Sequence, residues 1–285
     1  MKVLVLGFDA LDYEIFEKYV PKGYKTCKPL SRFPMTVPGW TEIYTGREWD
    51  GLPYRYSDWE NFFLQDGFNN VKHKAFWDIL NENGKIVELM NLPVTYPPKP
   101  VYRFLVSGFP ILDMKKRDFT YPLELIKSLP DDYLNRLDIV NYSPLLDTVG
   151  WIQELHSMTD SRFLEIMRDD SYYIWEQYKK LHQEDIDFAF IAWTFTDRIS
   201  HLKPYLLEKS YDLTVELIKT IDSTLNPENV MIVADHGCQW DKVSNEAEHT
   251  HYPACAIRGN LEPVTDLREI ANSILKIWNL RMDTK

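Results

Sequence analysis

Along the 285 residues, short apolar runs alternate with longer stretches in which apolar positions recur every three or four residues. The first run, KVLVLGF from Lys2 to Phe8, is apolar at nearly every position. Such a run predicts a strand buried on both faces, as in a parallel sheet covered by helices. Further strands are expected at Lys85–Met90, Tyr102–Ser107, Phe188–Thr194 and Val230–Ala234, with a weaker one at Ala254–Arg258. Between them, Phe163, Ile166, Met167, Ile174, Tyr178 and Leu181 share one helical face, with Asp160 as its expected cap. Leu207, Tyr211, Ile218, Ile221 and Leu225 form a second such face. This alternation predicts a single α/β domain over residues 1–285, with a mostly parallel central sheet and helices on both faces. The stretch from about 111 to 160, rich in Pro, Tyr and Asp, breaks the pattern and is expected to be an irregular cap insertion.

Composition narrows the class. With 45% hydrophobic and 26% charged residues, the chain has ample material for a core and does not resemble a disordered one. Lys+Arg 32 against Asp+Glu 43 gives a net charge of −11, which repels nucleic-acid backbones, and no basic patch offsets it. A nucleic-acid polymer is therefore not expected as a partner. No run approaches the ~20 apolar residues of a membrane span. Cys27, Cys238 and Cys255 lack any CxxC spacing, so neither a disulfide framework nor a cysteine zinc site is expected. The opening MKVLVLGFDA is too short for a signal peptide, and the expected location is cytoplasmic. The oligomeric state stays open. The aromatic content of 14% is high, and the cluster Trp49, Tyr54, Tyr56 and Trp59 reads as cap packing ahead of a stacking floor for a base or sugar.

The candidate chemistry lies directly after three of the strands. Asp9 follows VLVLGF, Asp197 follows FAFIAWTFT and Asp235 follows VMIVA. Ligands of open α/β sheets gather outside the carboxyl ends of the strands, so these aspartates should converge. Asp197 and His201, at i and i+4, would share a helix face. Asp235 and His236 precede Gly237, and His249 and His251 lie in the next loop. Such mixed N/O donors suit zinc, manganese or iron. Each feature also has an ordinary reading: a strand-end aspartate caps a helix, Thr36 bonds a turn, and Asp197–His201 is a helix pair. Their joint occurrence is what points to a site. His73, His156 and His182 have no partner motif and read as surface or packing residues.

The segments GFDA, TVPGWTEIYTG, TDRISH, VADHG and THYP, in that order, resemble the alkaline phosphatase superfamily. The resemblance is to its type I phosphodiesterase/nucleotide pyrophosphatase branch, and within it to a predicted phosphohydrolase/phosphomutase group. MNLPVTYPP from Met90 and VSGF from Val106 also resemble that group, so the likeness runs from residue 3 to about 258. It implies an alkaline phosphatase-like fold with two divalent metal ions, zinc ahead of manganese or iron. Asp9, Thr36, Asp235 and His236 would hold one ion. Asp197, His201 and His251 would hold the other, with His251 preferred to His249 because Thr250-His251-Tyr252-Pro253 matches the final motif. Thr36 would be the nucleophile, attacking phosphorus in line between metals ~4 Å apart and forming a threonyl-phosphate. Two divalent cations outweigh three aspartates by one charge, which an ionised Thr36 would cancel.

Gly39 stands where the diesterases usually carry an Asn that binds a phosphoryl oxygen. Backbone near Thr36 and Gly39, or the side chain of Arg198, is the expected substitute. Trp40 occupies the position where sulfatases need Arg, which argues against sulfatase chemistry. The implied activity is hydrolysis of a small phosphodiester or nucleotide-type phosphate ester. A phosphomutase or phosphomonoesterase of the same superfamily is the alternative, and a catalytically silent metal- or nucleotide-binding sensor the more distant one.

Overall fold

The computed structural model of the chain describes residues 1–49, 67–109, 111, 117–131, 133 and 148–282. The first apolar run forms β1 (Val3–Phe8), buried at every position. Its side chains alternate between two hydrophobic clusters: Leu4, Leu6 and Phe8 enter one, Val3 and Val5 the other. A strand sandwiched in this way has no polar face, which is why the run reads as continuously apolar.

The other strands are β2 (Lys25–Cys27), β3 (Val87–Leu92), β4 (Phe104–Ser107), β5 (Thr120–Tyr121), β6 (Phe188–Trp193), β7 (Asn229–Val233), β8 (Gly237–Asp241), β9 (Glu246–Thr250) and β10 (Cys255–Arg258). Seven of them join β1 in one eight-stranded sheet, in the order β2-β10-β7-β1-β6-β3-β4-β5, and β8 and β9 form a separate ribbon. Pairing is parallel from β7 through β1, β6 and β3 to β4. It is antiparallel where β10 meets β7 and β2, and where β5 meets β4. The sheet is thus mostly parallel, as its apolar strands predicted.

The helices are α1 (Tyr13–Phe16), α2 (Thr36–Thr45), α3 (Phe76–Glu82), α4 (Thr148–Ser157), α5 (Asp160–Leu181), α6 (Phe195–Leu202), α7 (Leu207–Leu225) and α8 (Ile270–Leu275). Phe163, Met167 and Ile174 of α5 and Leu217, Ile218 and Ile221 of α7 cover one face of the sheet. Trp40 and Ile43 of α2, Phe76 and Trp77 of α3, and Ile270 and Ile274 of α8 cover the other. Every residue of α2 is buried, and it ends where Gly46 takes a left-handed φ of 63°.

Two local expectations change. The cap of α5 is Thr159, whose hydroxyl accepts from the Arg162 N–H at 3.4 Å. Asp160 lies inside the first turn and instead accepts from Lys203 Nζ at 3.0 Å and the Tyr205 hydroxyl at 2.9 Å. The β8–β9 ribbon went unforeseen because β9 has no buried residue and hence no apolar alternation to mark it. Of the stretch expected as a cap, residues 112–116, 132 and 134–147 lie outside the described residues, as do Tyr54, Tyr56 and Trp59. Among the described residues, no helix is long and apolar enough to cross a membrane.

Candidate metal centre

The carboxyl ends of β1, β6 and β7, adjacent in the sheet, deliver three aspartates to one place. Asp9 follows β1 directly, and its N–H donates to the Trp193 carbonyl at the end of β6 at 2.9 Å. Asp197 sits in the first turn of α6, two residues into the helix that follows β6. Asp235 and His236 lie between β7 and β8, both fully buried. Asp235 Oδ1 accepts the Ala10 N–H at 3.3 Å, tying the ends of β1 and β7 together.

The ring of His236 decides how this pocket is charged. Its Nδ1–H donates to the Gly237 carbonyl at 3.1 Å. Its Nε2 then faces Asp9 Oδ1 at 3.2 Å and Asp235 Oδ2 at 3.4 Å. A lone pair set against two carboxylates is repulsive unless a positive charge lies among them, either a proton or a metal ion. Burial alone would depress the His236 pKa, but Asp235, Asp9 and Asp197 outweigh it and push the imidazole up to about 10. Asp9 is also raised, first by burial and then by Asp197, and Asp235 first by burial and then by Asp9 and Asp197.

A second set lies alongside. His201 Nε2 is 3.3 Å from Asp197 Oδ1, the i,i+4 pair expected on α6. His249 Nε2 is 3.8 Å from the same oxygen, and its ring stacks on His236 with centroids 4.1 Å apart. The Nδ1–H of His249 donates to the Pro34 carbonyl at 2.9 Å, leaving Nε2 free to bind. Burial, with the charge of His236 next, lowers the His249 pKa to about 4, so this imidazole is neutral and suited to a metal. Burial opposes ionisation of Asp197, yet His201, His236 and His249 together hold it below the usual carboxylate value.

His249 therefore stands where His251 was expected. His251 lies past the end of β9, is exposed, and turns its Nδ1 to the Ser31 carbonyl at 2.8 Å. The strand decides between the two imidazoles. His249 pairs with Cys238 inside the ribbon and is carried to Asp197, whereas His251 belongs to the connection into β10. No alternation in EAEHTH distinguishes them in the sequence.

Thr36, nearly buried, is the first residue of α2. It is bracketed by two contacts with the pocket: Pro34 receives His249, and Gly39 packs against Asp235. No side chain caps this helix at Met35, and with Pro38 lacking an N–H, those of Thr36 and Val37 are the first-turn groups left for a ligand. The Gly39 N–H donates to the Met35 carbonyl at 3.0 Å, and the absent Cβ lets α2 pack closely on Asp235. Arg198 is engaged on α5, with its guanidinium 4.0 Å from Asp170.

Two supporting residues escaped the sequence reading. Trp40 Nε1 donates to Asp9 Oδ2 at 3.3 Å, leaving Oδ1 for the pocket. Asp12 is fully buried and caps α1 by accepting from the N–H groups of Glu14 at 2.9 Å and Ile15 at 3.3 Å. It also accepts from Gln239 Nε2 at 3.1 Å and from the Thr250 hydroxyl at 2.5 Å, which fixes the ribbon carrying His249. Its capping spacing in Asp12-Tyr13-Glu14-Ile15 was the one available signal. His182, expected to be a packing residue, joins the buried Glu88 at 2.8 Å and Tyr178 at 3.1 Å, outside this centre.

The donor set fits divalent metal ions. Asp9 Oδ1, Asp197 Oδ1, Asp235 Oδ2, His236 Nε2 and His249 Nε2 are all buried without a hydrogen-bond partner among the described residues. Asp9, Asp235 and His236 can converge on one ion, as can Asp197, His236 and His249. His236 is common to both groupings and lies nearest Asp9 and Asp235, while His201 approaches the second through Asp197 alone. Orphaned donors of this kind are costly in a folded protein unless a cation gathers them.

Comparison with known proteins bears on the fold. No family model matches the sequence, and no curated protein does. Solved structures do. Alkaline phosphatase from the Antarctic bacterium TAB5 superposes with a TM-score of 0.50 at 12% identity, over 97% of each chain. Human ectonucleotide pyrophosphatase/phosphodiesterase 5 gives 0.51 at 11% identity, over 99% of this chain and 96% of that one. The PsFucS1 sulfatase from Pseudoalteromonas sp. gives 0.51 at 13% identity, over 98% of this chain and 68% of its own.

Proposed function

Starting from the alkaline phosphatase superfamily fold of this chain, we propose that it is a two-metal hydrolase of a small phosphodiester or nucleotide-type phosphate ester, with Thr36 as nucleophile. The observation that carries the proposal is the convergence of buried, unpartnered carboxylate and imidazole atoms beside the first turn of α2.

Asp9, Asp235, His236 and Thr36 would hold one ion, and Asp197, His201 and His249 the other. Zinc suits these N/O donors, and manganese or iron would be accepted by the same set. The bound ions would supply positive charge for the phosphoryl oxygens and lower the pKa of the Thr36 hydroxyl. Thr36 Oγ1 attacks phosphorus in line as the P–O bond to one ester oxygen breaks; that oxygen leaves as the alcohol with the Thr36 proton, and the phosphoryl group, in a diester still bearing its second ester, stays on Thr36. The N–H groups of Thr36 and Val37, at the start of α2, donate to the phosphoryl oxygens as charge builds. Water then attacks the threonyl-phosphate and frees Thr36. A cavity of about 520 Å³ borders His201 and is lined also by His156, Lys203, Tyr205 and Glu246, so an organic group of the substrate would have room there. Trp40 packs beneath Asp9 where sulfatase maturation would require Arg, so the sulfatase likeness is one of fold.

The test is hydrolysis of chromogenic monoester and diester substrates by metal-loaded wild type and Thr36→Ala, alongside elemental analysis. Two ions per chain are expected, with diester turnover that Thr36→Ala lowers by about 10⁴-fold or more. Absence of bound metal, or undiminished turnover in the variant, would overturn the reading.

A further inference from the structure

At the edge of the sheet farthest from β5, two of the three cysteines face one another. Cys27 ends the three-residue edge strand β2, and in the antiparallel register with β10 its partner is Cys255. Residues directly opposed in an antiparallel pair have Cα atoms about 4.5–5.5 Å apart, inside the range of about 4.4–6.8 Å that disulfides span. Both thiols are free and buried, and Cys238 lies apart on β8. The two thiols influence one another, Cys255 lowering the Cys27 pKa while its own is raised.

We infer that Cys27 and Cys255 are a redox site: a hydroperoxide converts the pair to a cross-strand disulfide. Their reactivities differ as such a site requires. Cys27 retains 6% exposure on the edge strand, whereas Cys255 has none. The neighbouring Cys255 side chain outweighs burial and, with help from the Val264 backbone and Lys25, brings the Cys27 thiol down to about 7. Cys27 is thus the sulfur that reacts first, as the thiolate.

The Cys27 thiolate attacks a peroxide oxygen, the O–O bond breaks, and Cys27 becomes a sulfenic acid as hydroxide departs. Hydroxide takes up the proton that Cys27 had lost. The Cys255 sulfur then attacks the sulfenic sulfur, its S–O bond breaks, and the hydroxyl leaves as water with the Cys255 proton. Two thiols are oxidised to one disulfide, and one hydrogen peroxide is reduced to two waters.

The position of the bridge gives it a consequence. The chain after Cys27 runs to Thr36, and the chain before Cys255 comes from His249. These two connections are already joined by Ser31 N–H to the His251 carbonyl at 2.8 Å, His251 to the Ser31 carbonyl at 2.8 Å and His249 to the Pro34 carbonyl at 2.9 Å. A covalent bridge at their base fastens the edge strand and holds both connections, whatever reaction the centre performs.

The experiment treats the full-length protein with hydrogen peroxide, quenches with catalase, alkylates after denaturation and maps the peptides by mass spectrometry. The expected product links the Cys27 and Cys255 peptides at about 2 Da below their summed mass and separates on reduction, with Cys238 alkylated. Cys255→Ser is expected to accumulate a Cys27 sulfenic acid that dimedone captures. Oxidised wild type is expected to melt several degrees higher than reduced protein, and Cys27→Ser to show no such rise. Full alkylation of both cysteines after peroxide, or Cys27 over-oxidised without a link, would overturn the assignment. A linked species with unchanged melting temperature would overturn its fastening role.

Discussion

The Cβ that Gly39 lacks would stand 2.5 Å from the carbonyl oxygen of Asp235 and 2.8 Å from its Cβ. Helix α2 therefore rests its backbone directly on a proposed metal ligand, and this close approach sets the height of Thr36 over the pocket. The neighbour is backbone and cannot swing aside. Gly39→Ala should destabilise the protein by roughly 1–3 kcal/mol and lower turnover by more than stability explains. Urea unfolding and diester hydrolysis measured together check this, and a variant with normal stability and turnover would refute it.

His249 and His251 can be separated by metal content. His249→Ala should retain only one of the two ions after dialysis, since it removes a neutral imidazole from the Asp197 set. His251→Ala should retain both, because that ring is engaged with the Ser31 carbonyl. The reverse pattern would reassign the ligand.

Trp40 tests the support beneath Asp9. Trp40→Phe keeps a ring in the packed position but removes the donor that occupies Asp9 Oδ2. Loss of such a partner to a metal ligand typically costs 10–100-fold, so metal affinity should fall about tenfold. Isothermal titration with zinc reads this directly, and an unchanged affinity would show the hydrogen bond to be incidental.

Asp12 should matter through the ribbon. Asp12→Ala leaves the Thr250 hydroxyl, Gln239 and the first turn of α1 without their acceptor. A loss of roughly 2–4 kcal/mol is expected from these buried groups together. Because the ribbon carries His249, retention of the second ion should weaken as well. Denaturant titration and elemental analysis report the two effects, and loss of neither would show the ribbon to be held elsewhere.

Acid stability should depend on Asp266. Burial opposes its ionisation, but Arg268, donating to Oδ1 and Oδ2 at 2.7 Å each, outweighs this and holds the carboxyl below its usual value, with Arg32 also nearby. A folded pKa below the unfolded value of about 3.9 means that the contribution is present above that pH and fades as pH falls through the depressed value. Arg268→Ala should thus be less stable than wild type at pH 7, and the gap should narrow below about pH 4. Urea midpoints at several pH values would show a constant gap if Asp266 were not the linked group.

The sequence by itself determined the parallel core, because strands buried on both faces must be apolar throughout, as in VLVLGF and FAFIAW. It also determined that Asp9, Asp197 and Asp235 meet, since all three closely follow strands whose carboxyl ends share one edge of such a sheet. Local spacing sufficed for Asp197 and His201, which one helical turn brings 3.3 Å apart. Tertiary structure alone carried His249 to Asp197 and His251 to Ser31, because β9 has no buried residue and its register is imposed by pairing with β8 and by Asp12. It also brought Gly39 into close contact with Asp235, since that depends on how closely α2 approaches the end of β7. The opposition of Cys27 and Cys255, 228 positions apart, was likewise invisible in their spacing. A pattern of apolar residues encodes which side of an element is buried. Which atoms meet across elements depends on register and interhelical distance, and those are fixed only when the whole core packs.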